Sequence, residues 1–124
     1  MSQFKQVDVV QYNVSDWERA KQFYADVLDW PLAYVDEAVG WCEWGQPDKT
    51  HLAINRWDSQ WGPVPQNGAL AVLSVADAHA TTAALRAKGI KCDDIMSIPG
   101  VVDIGLFHDP EGNKIQFASR PPAA

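Results

Sequence analysis

The chain is poor in the groups that usually announce an enzyme. Its two cysteines, Cys42 and Cys92, lie 50 positions apart with no CxxC partner. They read as free thiols of a reducing compartment. No cationic neighbour in sequence marks Cys42 as a nucleophile. There is no G-x-S-x-G elbow and no glycine-rich phosphate loop, which sets aside a serine-hydrolase site or a nucleotide cradle of those types. No apolar run reaches the roughly 18 residues that span a bilayer. The opening "MSQFKQVDVV" lacks the apolar stretch of a secretory leader, so the expected address is the cytoplasm, with no membrane partner. Positive charge is scarce: 10 Lys and Arg stand against 16 Asp and Glu, a net charge of −6. Such a surface repels phosphate backbones and argues against nucleic acid, while suiting a cationic or neutral ligand.

What the chain does have is apolar matter and tryptophan. The 47% hydrophobic fraction is enough for a sizeable core within 124 residues. No long block of like charge points to disorder. Six tryptophans, at positions 17, 30, 41, 44, 57 and 61, are a high count for this length; some serve the core, and aromatics also build ligand pockets and dimer interfaces.

The β-branched segment around Lys5 to Asn13 predicts a strand. Ser15 or Asp16 caps a helix whose apolar stripe runs through Trp17, Ala20, Phe23, Tyr24 and Val27 or Leu28. Three short strands follow: Leu32 to Val35, Val39 to Gly45, and His51 to Trp57, the last entered through a Pro47–Asp48 turn. After "DSQWGPVPQNG" the order repeats. Residues 69–75 are a strand. A helix capped near Asp77 turns Ala80, Ala84 and Leu85 inward and ends at Gly89. Strands follow over 91–98, 101–108 and 114–119, and the tail "RPPAA" is frayed. Val14-Ser15-Asp16 precedes Val75-Ala76-Asp77 by 61 positions, and Pro47 precedes Pro110 by 63. The expected plan is one α+β domain over 1–124. It consists of a βαβββ module at 4–57, a linker at 58–68 and a second βαβββ module at 69–119.

The repeated βαβββ order, "VSDWERAKQFYADVLDW" and "DPEGNKIQF" together resemble the vicinal oxygen chelate superfamily. That group includes glyoxalase I, bleomycin-resistance proteins, fosfomycin-resistance enzymes and extradiol dioxygenases. The resemblance runs from about Val7 to Ala118. One departure is Asp29, where the family usually has glycine after "VL"; Asp tolerates the left-handed conformation. The resemblance implies one curled mixed sheet in which two half-barrels enclose a cleft. In metal-dependent members a divalent ion is held by one side chain from the first and last strand of each half. The last-strand position is Gln116, and the repeat shift of 63 gives Ala53. The first-strand position is Val9, and the shift of 61 gives Leu70. Three of these four have no donor atom, and one neutral amide does not hold a divalent ion. No metal and no cofactor are therefore expected.

The strand period of two then nominates neighbours on the same face. Beside Gln116 these include Gln11, Asn13, His51 and Asn55. The resemblance further implies a pocket residue ten positions before Gln116, which is Leu106 and, by the repeat, Glu43, with Trp41 on the same face, and all eight are ligand-binding candidates. Trp57 and Trp61 are candidates for a lid or an interface, while Trp17 and Trp30 are assigned to the core. Glu43 either points inward, where burial raises its pKa and a cation lowers it, or stands as an edge carboxylate in water. His51 is either an acid/base group or hydrogen-bond donor at the cleft mouth, or a solvent-facing residue at the start of its strand. His79 is assigned to the surface and His108 to ordering a loop. The first functional expectation is a metal-free homodimer of the bleomycin-resistance type that sequesters a small cationic or aromatic molecule; the dimer is implied by the resemblance alone. The alternative is a lyase or isomerase of the glyoxalase type, using Glu43 or His51 or a relocated metal.

Overall fold

Two aspartates, 61 positions apart, start the two helices. The Asp16 carboxylate accepts the Arg19 N–H at 3.2 Å and opens α1, Trp17–Leu28. Asp77 accepts the N–H groups of His79 and Ala80 at 2.9 and 3.1 Å and opens α2, Ala78–Ala87. Each carboxylate satisfies donors that the first helical turn leaves over. Asp29 closes α1 at φ 49°, its N–H bonded to the Ala25 carbonyl, so the aspartate does take the left-handed position. Gly89, at φ +81°, follows Lys88, the C-cap of α2.

The strands repeat as well. In the computed structural model, which describes residues 2–3, 5–65 and 69–120, the chain divides into two units, 1–66 and 67–124. The first holds β1 (Val9–Val14), β2 (Leu32–Asp36), β3 (Trp41–Trp44) and β4 (His51–Arg56) in the order β1-β4-β3-β2. The second holds β5 (Val72–Ser74), β6 (Met96–Ile98), β7 (Val102–His108) and β8 (Lys114–Ser119) in the order β5-β8-β7-β6. In both sheets the first strand pairs in parallel with the last, and the other pairings are antiparallel. The architecture is therefore α+β with two βαβββ modules. The end of the expected linker, 66–68, and the tail beyond Arg120 lie outside the described residues.

In the first unit α1 covers one sheet face. Tyr24, 1% exposed, lies between Tyr12 and Trp44 at ring separations of 6.4 and 6.0 Å. Val14, Ala20, Leu52 and Ile54 complete that core. Burial selects Leu28, with Val27 only half-buried. In the second unit Phe107 and Phe117 pack at 6.1 Å with Ile115 and Leu85, and the Ser119 hydroxyl accepts the Ala78 N–H at 2.9 Å.

Four local expectations need correction. The inward residues of α2 are Ala78, Thr82 and Leu85, while Ala80 and Ala84 are exposed. So many alanines leave little apolar contrast by which to read helical phase. Trp30 is exposed at 37%, because it follows the cap of α1 and so leaves the buried stripe. The expected strand over 91–98 is interrupted. Cys92 bridges Phe107, and the Asp93 N–H reaches the Leu106 carbonyl at 3.0 Å, before pairing resumes at Met96. The first strand begins at Val9.

Candidate functional site

Three strands of the first sheet set the site out in rows. Gln11 of β1 stands opposite Ala53 of β4, and Ala53 opposite Glu43 of β3. Two residues along each strand, Asn13 stands opposite Asn55 and Asn55 opposite Trp41. Two residues the other way, Val9 stands opposite His51. The period of two puts all eight on the face opposite the helix. Six of the residues nominated from the sequence thus share one surface: Gln11, Asn13, Trp41, Glu43, His51 and Asn55.

Glu43 and His51 are tied together. The His51 Nδ1 lies 2.6 Å from Glu43 Oε1, and the Trp41 indole N–H donates to Glu43 Oε2 at 3.0 Å. The other ring nitrogen, His51 Nε2, lies 2.7 Å from the Gln46 carbonyl. Both side chains keep less than a fifth of their surface exposed. Both histidine nitrogens therefore face acceptors, an arrangement that only the doubly protonated imidazolium satisfies. Burial pushes the Glu43 carboxyl up, but the hydrogen bonds from Trp41 and His51, with the histidine charge, outweigh it and hold the group below its ordinary value. The Glu43 bond and then the Gln46 carbonyl raise His51, against the effect of burial, with the charges of Glu43 and Asp8 adding.

Gly45 makes this possible. It adopts φ +151°, and a Cβ there would overlap the His51 ring. The imidazole lies against bare backbone, pinned by contacts on three sides. Nothing in a hydrophobicity pattern signals this; a glycine at the end of a strand, six residues ahead of a histidine, is the only trace.

An amide row continues the surface. Asn13 Oδ1 accepts Gln11 Nε2 at 2.8 Å and Asn55 Nδ2 at 3.2 Å. Trp57 and Trp61 sit beyond the end of β4. Their rings meet edge to face at 5.2 Å, and the Trp57 N–H donates to the Gly62 carbonyl at 3.0 Å. Trp61 is 57% exposed.

Gln116 and Leu106 occupy the equivalent face of the second sheet, opposite each other across β7 and β8, with Val72 on the other side of Gln116. The registers Gln11–Ala53–Glu43 and Val72–Gln116–Leu106 are the same under shifts of 61 and 63. Val9 and Leu70 each lie two residues ahead of the β1 or β5 residue in these rows. The four positions nominated from the family resemblance carry two aliphatic side chains, a fully buried Ala53 and one amide, and side chains of those types do not fit a divalent ion. Among the described residues, no three His, Cys, Asp or Glu side chains converge as a metal site would require. A separate hollow of about 400 Å³ lies on the helix side of the first sheet, between α1 and β2 over Cys42 and Trp44. Its charged rim pairs internally, Lys21 bonding Glu37 and Glu18, and burial raises the Cys42 thiol.

His79 is exposed, 3.6 Å from Asp103. His108 bonds Asp93 at 2.9 Å, tying the 91–95 segment to β7.

A doubled βαβββ chain of this kind is a recognisable class of fold, and sequence comparison identifies its family. Residues 6–117 match the family model of the Glyoxalase/Bleomycin resistance protein/Dioxygenase superfamily. The chain belongs to that superfamily. Among solved structures it is similar to TnmS3, an antibiotic binding protein from Streptomyces sp. CB03234, at 25% identity and a TM-score of 0.78, covering 98% of this chain and 100% of that one. It is similar too to a glyoxalase/bleomycin resistance protein from Streptomyces sp. CB03234, at 26% identity and a TM-score of 0.69 over 90% and 98% of the two chains. Lactoylglutathione lyase from Agrobacterium tumefaciens shares the fold at 15% identity and a TM-score of 0.68, over 95% and 96%. No curated protein matches the chain. No helix among the described residues is long and apolar enough to cross a membrane.

Proposed function

We propose that this protein sequesters a small organic molecule, aromatic or cationic, without a metal and without turning it over. The reading is supported chiefly by the open face of the first sheet. It combines an indole, a carboxylate–imidazole pair and three amides around an alanine that stands where metal-dependent relatives need a donor. Likeness to an antibiotic binding protein over nearly the full length of both chains favours the same class of activity. The molecule would be held by ring stacking and directional hydrogen bonds, the usual division of labour in such sites. We place the protein in the cytoplasm as a homodimer, as two-fold symmetric association is the commonest for small binders. Titration of tryptophan fluorescence with a panel of antibiotics and aromatic metabolites tests the binding role. A signal saturating below about 1 mM, a binding free energy of about 4 kcal/mol, is expected. A flat response across the panel removes the reading.

A second reading has one observation in its favour. The 2.6 Å Glu43–His51 contact has the geometry of an acid/base pair, and a lyase or isomerase of the glyoxalase type would use it. Glu43→Ala and His51→Ala would then abolish turnover while leaving the fold intact. A stoichiometric divalent ion in purified protein would favour the version with a relocated metal.

A further inference from the structure

The sheet face described above, if it is the ligand site just proposed, carries its own cation. Both oxygens of Glu43 are engaged, one by His51 and one by the Trp41 N–H. Both nitrogens of His51 are engaged, by Glu43 and by the Gln46 carbonyl. The ring has no room to leave by sliding inward, since it lies on Gly45. An incoming ammonium would have to displace a pinned, hydrogen-bonded imidazolium to reach the carboxylate. It would also meet the histidine's like charge, an arrangement that works as a device against the wrong ligand. Beside this closed pair the face offers the Trp41 ring and the primary amides of Gln11, Asn13 and Asn55, joined through Asn13 Oδ1. Amides present both a donor and an acceptor and carry no net charge, so they suit neutral carbonyl and amide groups.

We infer that the first-unit face selects a neutral, planar ligand bearing carbonyl or amide groups, and that His51 is the residue that turns cations away. This settles between the two ligand classes left open above. Of the charged groups around His51, Glu43 on β3 and Asp8 just ahead of β1 act on it.

The test uses two probes built on one aromatic ring: 2-naphthamide, neutral, and (2-naphthylmethyl)trimethylammonium, charged at every pH. Calorimetric titration at pH 6 of the full-length protein is expected to show the amide bound about tenfold tighter than the ammonium. In His51→Gln, which keeps a donor for Glu43 but removes the charge, the ammonium is expected to gain about tenfold. The gain of the ammonium should exceed any change in the amide. In Glu43→Gln the ammonium should gain nothing. A wild-type preference for the ammonium, or no gain in His51→Gln, overturns the inference while leaving a binding protein in place. Silence from both probes in every variant overturns it together with the ligand reading on which it rests. Nitrogen-15 spectra of the imidazole give an answer that needs neither variant nor ligand. Two protonated ring nitrogens at pH 7 are expected, and a single N–H sinks the claim.

Discussion

The two halves of this chain share a backbone plan and differ in what they display on it. Under the repeat shift, Gln11, Asn13, Trp41, Glu43, His51 and Asn55 of the first sheet become Val72, Ser74, Ile104, Leu106, Lys114 and Ala118 of the second. One open face carries a charged pair and amides, while its counterpart is mainly aliphatic. The two turns that lead into the last strands diverge in the opposite sense. In the second unit Asp109 is 5% exposed and organises the turn through its side chain. It accepts the Glu111 and Asn113 N–H groups at 2.9 and 2.8 Å and the Asn113 amide at 2.8 Å. Its counterpart in the first unit is the exposed Gln46, whose backbone carbonyl accepts the Lys49 N–H at 3.2 Å, as the Asp109 carbonyl accepts that of Gly112, and also faces His51 Nε2 at 2.7 Å. The second half therefore spends its polar groups on the turn and the first half on the open face. A duplicated frame has kept what the backbone requires and separated what the side chains do.

Breaking the turns should give the largest contrast. Asp109→Ala leaves buried donors without partners and is expected to cost about 3 kcal/mol of stability, whereas Gln46→Ala should stay within about 0.5 kcal/mol. Urea denaturation of the two variants measures the difference, and equal costs would dissolve it.

Next comes a packing swap. Gly105 stands opposite Phe117, and a Cβ on it would overlap the ring; the matching pair in the first sheet is Cys42 and Ile54. Gly105→Cys is expected to cost about 2 kcal/mol, and adding Phe117→Ile should recover part of it. Strict additivity of the two changes in thermal melts would show that the two sites do not share their space.

The helix caps should differ by less. Asp77 accepts the N–H groups of His79 and Ala80 at 2.9 and 3.1 Å, and Asp16 accepts that of Arg19 at a longer 3.2 Å. Asp77→Ala is expected to cost about 1 kcal/mol and Asp16→Ala less.

The smallest effect is the pH dependence of the Glu43–His51 pair. His51 is raised in the fold, so its contribution is complete below the unfolded value near 6.5 and fades as pH climbs through the raised value. Glu43 is lowered, so its contribution is complete above the unfolded value near 4.5 and fades as pH falls through the lowered one. Between roughly pH 4.5 and 6.5 both are present. Relative to His51→Gln, the wild type should lose stability as pH rises from about 6.5 through the raised His51 value. Parallel stability curves for the two proteins would contradict this.

Much of this was legible in the letters because repetition supplied a ruler. The 61- and 63-residue shifts predicted the strand rows, and Asp16 and Asp77 marked both helix starts, since caps act through neighbours in sequence. Periodicity placed six candidate residues on one face. It did not reveal that His51 would occupy the place of the cation sought for Glu43. Nor could it read the phase of α2, where alanine fills most positions, or keep Trp30 out of the core.

Local chemistry determined from sequence alone where helices begin, where the chain turns and which residues alternate onto the open faces. All of these depend on residues a few positions apart or on a fixed repeat. Tertiary structure alone decided that the Glu43 carboxylate already has its partners, the His51 ring and the Trp41 N–H. That outcome needs Trp41, Glu43, the Gln46 carbonyl and His51 to converge within hydrogen-bond reach over a glycine backbone, and such convergence is a matter of distances in space that no spacing along the chain encodes.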